Sequence, residues 1–234
     1  MQARVGKEYL VKEDDVMSIN ISFNAGSSGG YSSINKSSAQ YKAVERDQLS
    51  AIIANEATMS DKERLIYETF GGRDTIIKNY MKLYDSNGNF LNAYGVAGMC
   101  VDGKSPSEYN QIIDVSEDWR QEMFDMVKRE FIQENGVANG DTTKRTSLYT
   151  AYQKSIKIDD RLKGTWTLGQ YEKAYNKAFY DAVKAANPNW QQGQPFDSRI
   201  LDSVTRESVE SQLVKSGNTF VKKSSSGSTL DMKI

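Results

Sequence analysis

The chain has 234 residues, and its 30 basic and 31 acidic residues leave a formal net charge of −1. This balance removes the self-repulsion that keeps disordered chains open, and 13 Tyr, 8 Met and 3 Trp provide bulk for a core. The sequence contains no His, which excludes Ser-His-Asp and Cys-His catalysis and His-ligated zinc. A single Cys excludes an intramolecular disulfide. No cation adjoins Cys100, so we expect a small, buried, apolar residue at this position.

The first 38 residues are predicted to form a polar, extended N-terminal arm. Residues 1–16 lack the apolar stretch of a signal peptide, so we expect synthesis in the cytoplasm without a cleaved signal. A natural start at Met17 would make those residues an added extension. Ser and Gly are frequent in residues 18–38, as in flexible linkers.

Near the start of this arm, apolar residues alternate with polar ones at Ile19, Ile21 and Phe23. Such alternation is typical of a strand that adds to a sheet edge or to a neighbouring molecule. An unpaired tail is the alternative interpretation.

Apolar spacing in the first half of the chain predicts three helices. The first covers residues 39–57. A capping box of Ser60 with Glu63 begins the second helix, and Gly71-Gly72 ends it. Asp74 is the expected cap of the third, which ends at the Asn-Gly turn that follows.

Residues 85–113 are predicted to form a small β-hairpin or meander, because turn residues separate short apolar pieces there. Asp85, Asn87 and Asn89 alternate as in a calcium loop. Val96 stands where that loop needs a bidentate Glu, so a turn is the better interpretation.

Four further helices are predicted in the second half of the chain. Their expected limits are Asp114 or Ser116 to Asn135-Gly136, Asp141 to the turn at Lys157, the Thr167–Gln170 capping box to Asn187-Pro188, and Asp197 or Thr205 to Leu213. Together these signals predict a mainly α protein with a single multi-helix domain over residues 39–223 and a flexible tail over residues 224–234. No apolar run approaches membrane length, so a soluble or peripheral protein is expected.

Aromatic residues cluster in the C-terminal third of the chain, and we predict that they take part in interactions. They are Trp166, Tyr171, Trp190 and Phe196. Exposed aromatic side chains stack on sugar rings or anchor protein contacts. Packing in the core is the commoner explanation for such residues, and the helical spacing of Tyr171, Tyr175 and Phe179 favours a packing stripe over a ligand platform.

A hydrolase without His would use two carboxylates, one protonated beside an aromatic wall and one ionised. The carboxylates near Trp119 and Trp166 in sequence are Glu117, Glu122, Glu130, Glu134, Asp159, Asp160 and Glu172. None has a neighbour that singles it out, so solvated helix faces are the better explanation of these carboxylates. We therefore assign no catalytic residue and expect no metal or cofactor.

Nucleic acid is not an expected partner. Basic residues are interleaved with acidic ones instead of forming a dense stripe, and the sequence pI is about 5.7. Neither a phosphate-binding loop nor a dinucleotide-binding glycine motif occurs, so a nucleotide site has no support.

Four longer motifs carry a resemblance: GDTTKR (140–145), LKGTWTLGQYE (162–172), WQQGQPFDSRILD (190–202) and LVKSGN (213–218). Through them the chain resembles an uncharacterised family of Gram-positive, often spore-forming, bacterial proteins over about residues 60–223. The resemblance implies no activity. It implies a role in sporulation, in a parasporal or surface assembly, or in export without a cleaved signal.

A non-enzymatic structural or interaction protein that self-associates is the leading hypothesis, because many chemistries are excluded and an extended arm suits contacts between chains. It predicts that assembly weakens when residues 17–38 are deleted. The alternative is a His-independent glycan hydrolase or carbohydrate-binding module that uses a carboxylate pair beside exposed tryptophans, including Trp190. A toxin or effector that binds a host or competitor surface is a third possibility.

Overall fold

The computed structural model describes residues 33–137 and 142–223. The predicted strand residues Ile19, Ile21 and Phe23 lie outside this part, as do the tail at residues 224–234 and the expected helix cap Asp141. The prediction of a mainly α fold is confirmed.

Helices come in two groups along the described chain. The first group contains α1 (Ala39–Asp47), α2 (Leu49–Ala57), α3 (Asp61–Thr69) and α4 (Gly72–Met81). The second contains the single-turn α5 (Pro106–Tyr109) and then α6 (Glu117–Gln133), α7 (Thr142–Ser155), α8 (Arg161–Ala186) and α9 (Arg206–Glu210). Two 3₁₀ turns, Ile158–Asp160 and Ser198–Ser203, precede α8 and α9.

The main core lies among α6, α7, α8 and α9. Met123, Tyr175 and Phe179 are completely inaccessible to solvent. The Phe124 ring centroid lies 5.2 Å from those of both Tyr175 and Phe179, within the range in which aromatic pairs add to simple area burial. Facing aromatic side chains of α6 and α8 therefore pack together inside this core.

Helix α8 is longer than the sequence signals predicted. The expected capping box at Thr167 is wrong, because α8 already begins at Arg161. The Thr167 hydroxyl lies 2.9 Å from the carbonyl oxygen of Lys163, one turn earlier, and accepts a hydrogen bond from the Ile113 backbone N–H at 3.0 Å. A mid-helix Thr that bonds to the carbonyl four residues earlier resembles a cap in sequence.

The β structure also lies elsewhere than predicted. Residues 85–113 contain two isolated bridges, Tyr84 with Phe90 and Leu91 with Ala97, instead of strands. Asp85 stabilises a turn there, because its carboxylate accepts hydrogen bonds from two backbone N–H groups. An antiparallel hairpin is formed instead by β1 (Leu213–Ser216) and β2 (Thr219–Lys222).

The hairpin occupies the region where the end of a helix was expected. Helix α9 stops at Glu210, so the prediction of a helix to Leu213 is wrong. Gly217, whose φ of 59° is left-handed, opens a two-residue loop that suits the twist of paired strands.

The α1–α4 group begins with clear local signals. Ser38 caps α1, since its hydroxyl accepts a hydrogen bond from the Tyr41 backbone N–H at 3.2 Å. The capping box of Ser60 with Glu63 at α3 is confirmed. The single helix expected over residues 39–57 is interrupted at Gln48, whose φ of −127° is not helical.

Helix α4 starts earlier than predicted. It begins at Gly72, after Gly71 has turned the chain with a φ of 89°, and Asp74 lies within the first turn instead of capping it. Across the described ranges, no helix combines the length and the apolar character that a membrane crossing needs.

Candidate functional site

Trp190 is a core residue, in agreement with the interpretation of core packing. The side chain is 1% exposed and packs against the rings of Phe131, Tyr180 and Phe196. Its indole N–H donates to the Gln194 carbonyl oxygen at 2.7 Å, so the polar end is satisfied internally. Half-buried Phe196 belongs to the same cluster. Neither residue offers the open aromatic face that the glycan hypothesis requires.

Trp166 and Tyr171 lie half-buried on α8, where the C-terminal hairpin meets the helix. The Trp166 indole N–H donates to the Asn218 carbonyl oxygen at 2.5 Å. The Tyr171 ring centroid lies 4.8 Å from that of Phe220. The loop and the second strand of the hairpin therefore fix the positions of both aromatic side chains.

A groove of about 250 Å³ opens beside Trp166. Its lining includes Val101, Tyr109, Leu162, Trp166, Gly169 and Lys173. We call this feature the Trp166 groove. Gly169 lines the groove and has no side chain to fill it. The Lys173 ammonium nitrogen lies 5.5 Å from the centre of the Trp166 indole ring.

A second depression of about 320 Å³ shares Tyr109 and Leu162 with the Trp166 groove, so the two adjoin. Its other lining residues are polar: Lys104, Glu108, Gln111, Asp159 and Lys163. We call it the polar depression. Hydrogen bonds from the Ser105 backbone N–H and hydroxyl hold the pKa of Glu108 below its ordinary value.

Sequence reasoning missed most of the groove residues, although a signal was present. Leu162, Trp166, Gly169 and Lys173 are spaced i, i+4, i+7 and i+11, which places them on one face of a helix. The incorrect helix start at Thr167 put Leu162 and Trp166 in a turn and so concealed this face.

Cys100 lies close to the groove in sequence and is exposed, so its expected burial is wrong. Its thiol donates to an Asp102 carboxylate oxygen at 3.0 Å. That hydrogen bond raises the pKa of the Cys100 thiol and disfavours the reactive thiolate.

The carboxylates named as hydrolase candidates include two that share one guanidinium. Arg145 donates to Glu130 at 2.6 Å and lies 3.3 Å from Glu172. The Tyr149 hydroxyl donates a hydrogen bond to a Glu172 carboxylate oxygen at 2.6 Å. Burial is the larger cause, and this carboxylate the smaller one, of a raised pKa at Tyr149. Both carboxylates therefore take part in contacts between helices.

A second ion-pair network links α6 with α9. Arg206, which is 5% exposed, donates to Glu117 at 2.5 Å and to Glu210 at 3.2 Å. Tyr175 also donates to Glu210, at 2.5 Å, and burial raises the pKa of this tyrosine. Within the described ranges, no group of three acidic or Cys side chains is arranged to hold a metal ion.

Three apolar side chains on α2 and α3 are exposed. Helix α3 contains no buried residue. Leu65 is 71% exposed, Ile66 is 47% exposed, and Ile53 on α2 is 45% exposed. We call these three residues the α2–α3 surface.

The described part of the protein is a helical domain with a C-terminal hairpin and a surface groove beside Trp166. The chain belongs to the family described as domain of unknown function DUF3879, whose family model matches residues 34–234. This match confirms the resemblance to an uncharacterised family. Comparisons with curated proteins and with solved structures gave no match.

Proposed function

We propose that this protein is a non-enzymatic interaction protein that self-associates through the α2–α3 surface. The main support for this proposal is that Leu65 is 71% exposed on α3, a helix that buries none of its residues. Covering a Leu or Ile side chain contributes about 2 kcal/mol, which favours a partner on this surface. Three such side chains make a small interface, so the association is weak and concentration-dependent.

We propose that a second copy of this chain covers the α2–α3 surface, because α3 carries charges of both signs. Helix α3 has the sequence DKERLIYET, in which two basic residues accompany three acidic ones. A helix with mixed charge does not strongly repel its own copy, whereas a single-sign surface would favour an oppositely charged partner. Like-to-like contact about a two-fold axis is also the commonest arrangement of soluble oligomers.

The ion pairs of the second helix group support a non-enzymatic role. Glu130, Glu172 and Glu210 are each engaged by an Arg and, for the last two, also by a Tyr hydroxyl. These contacts explain the carboxylates as links between helices. A hydrolase would instead need one carboxyl in apolar surroundings beside an open aromatic face.

The cellular setting of the assembly is proposed from the resemblance alone. A spore-forming, Gram-positive lineage would place a self-associating protein in a spore, in a parasporal inclusion or at the cell surface.

Light scattering over a range of concentrations tests the proposal on the full chain and on Leu65→Glu. Leu and Glu have similar helix propensities, so the substitution places a charge in the surface without weakening α3. The expected result is a mass that rises with concentration in the full chain and stays at 26.3 kDa in the variant.

Tyr94→Glu is the matched control, because Tyr94 is 59% exposed and lies outside the α2–α3 surface. It should assemble like the full chain. A monomeric full chain, or equal assembly in Leu65→Glu, would reject the proposal.

A chain that begins at Ser33 separates the α2–α3 surface from the N-terminal arm. This limit keeps Ser38, the cap of α1, which a deletion of residues 17–38 would remove. If this shortened chain assembles, the α2–α3 surface is sufficient; if it becomes monomeric while Leu65→Glu assembles, the arm carries the contact and the proposed surface is wrong.

A further inference from the structure

The Trp166 groove and the polar depression form one continuous site with two chemical halves. The groove offers Val101, Leu162 and the Trp166 ring. Tyr109 lines both halves. A ligand that fills both therefore needs an apolar face next to a set of hydrogen-bonding groups.

Trp166 is held in place before any ligand arrives. Its indole N–H is bonded to the Asn218 carbonyl oxygen at 2.5 Å, so the ring does not need to be ordered on binding. The polar end of the indole is already used, which leaves ring area as the contact that Trp166 offers. Flat stacking against C–H groups is the interaction that such a ring provides.

The charged side chains that line the polar depression balance one another. They are two lysines, Lys104 and Lys163, and two carboxylates, Glu108 and Asp159, and the lining also contains Gln111. This set supplies both hydrogen-bond donors and acceptors. A phosphate or another anion would meet the two carboxylates, so a neutral ligand with many hydroxyl groups fits better.

Lys173 is the group that a ligand would have to move. Its ammonium lies 5.5 Å from the Trp166 ring centre, and the residue is exposed. A cation–π contact at an exposed site contributes about 0.5–1 kcal/mol, so displacing the flexible lysine side chain costs little. In its displaced position the ammonium can donate to a ligand hydroxyl.

We propose that this site binds a neutral oligosaccharide, with the C–H face of one sugar ring on Trp166 and the next ring in the polar depression. Saccharides combine apolar ring faces with hydroxyls that both donate and accept, which matches the two halves. The proposal is one of binding without cleavage. It is independent of self-association, because Leu65 lines neither half of the site.

The experiment measures Trp fluorescence and calorimetric heat as the full chain is titrated with trimers of N-acetylglucosamine, of β-linked glucose and of α-linked glucose. The expected result is saturable binding of at least one trimer. Trp166→Ala should weaken it about tenfold or more, the equivalent of about 1.4 kcal/mol.

A second pair of variants keeps the test valid if Trp166→Ala disturbs folding. Val101→Arg places a large charge in the groove lining at a side chain that is 42% exposed. Val221→Arg is its control, since Val221 is 45% exposed on the hairpin and does not line the groove. Binding should be lost in the first and kept in the second.

Three results would overturn the proposal. They are no saturable binding of any trimer at millimolar concentration, unchanged binding in a folded Trp166→Ala variant, and equal loss of binding in Val101→Arg and Val221→Arg. Repeating the titration with Leu65→Glu shows whether binding depends on assembly; the proposal predicts that it does not.

Discussion

The two helix groups differ in the size of the apolar side chains that they bury. In α6–α9 the largest side chains are turned inward, and Tyr152, Tyr175, Phe179 and Trp190 are each at most 1% exposed. In α1–α4 the buried side chains are smaller, chiefly Ala43, Val44, Ile52 and Ile77, while Leu65 and Ile66 face solvent. The α6–α9 group therefore has a self-sufficient core, and the α1–α4 group leaves apolar surface available to a partner.

The ion pairs of the two groups also differ in their exposure to solvent. Glu56 in α2 is engaged by Arg73 and by the Tyr67 hydroxyl, but the Arg73 side chain is 48% exposed. In α6–α7 the corresponding pair is enclosed, since the Glu130 and Arg145 side chains are 4% and 24% exposed. Because water screens charge pairs at the surface, the enclosed pair is the one that a substitution should disturb most.

The largest expected effect is the truncation of a core aromatic residue. Phe179→Ala removes a completely buried ring and should lower the free energy of unfolding by about 4 kcal/mol. Ile77→Ala, at a residue that is 4% exposed in α4, should lower it by about 2 kcal/mol. Urea denaturation followed by circular dichroism measures both. Equal losses would remove the contrast between the two groups.

The next effect concerns the enclosed ion pair. Glu130→Ala removes the nearer of the two carboxylates that engage the Arg145 guanidinium, leaving only Glu172 at 3.3 Å, and should cost about 3 kcal/mol. Glu56→Ala breaks a pair whose guanidinium is half exposed, and its cost should be closer to about 1 kcal/mol. Denaturant midpoints of the two variants, measured side by side, test this order. A larger loss in Glu56→Ala would reverse the comparison.

A smaller effect is expected when the pH falls. Hydrogen bonds from Arg73 hold the pKa of Glu56 below its ordinary value of 4.5. A carboxylate with a lowered pKa in the folded state contributes stability that is present above its ordinary pKa and is lost as the pH falls through the lowered value. The full chain should therefore lose stability below about pH 4.5 more steeply than Glu56→Gln. Thermal unfolding between neutral and acid pH measures this difference, and parallel curves would contradict it.

Sequence signals predicted the fold well where they act locally. The capping box of Ser60 with Glu63, and the left-handed Asn135 and Gly136 after α6, involve residues within one turn of each other. These contacts can be inferred from the order of residues alone. The mainly α class follows from them.

Long-range contacts explain what the sequence could not predict. Thr167 resembles a cap, yet its hydroxyl bonds to the loop at Ile113, far away along the chain. Trp190 lies in a predicted loop, and the sequence could not identify its partners, because the ring fills a space between Phe131 and Phe196 that exists only after folding. Val101 and Tyr109 join Trp166 in the groove only because α5 and its preceding loop pack near α8.

The most direct test of the central claim asks whether the α3 helices of two copies touch. Cys100 is exposed, so it is first replaced by Cys100→Ser, and Leu65→Cys is then added and oxidised at increasing concentration. Facing helices bring the two thiols close enough for a disulfide. We expect a covalent dimer from Leu65→Cys and a monomer from Tyr94→Cys in the same background. Equal cross-linking of the two variants, or none in Leu65→Cys, would contradict assembly through the α2–α3 surface.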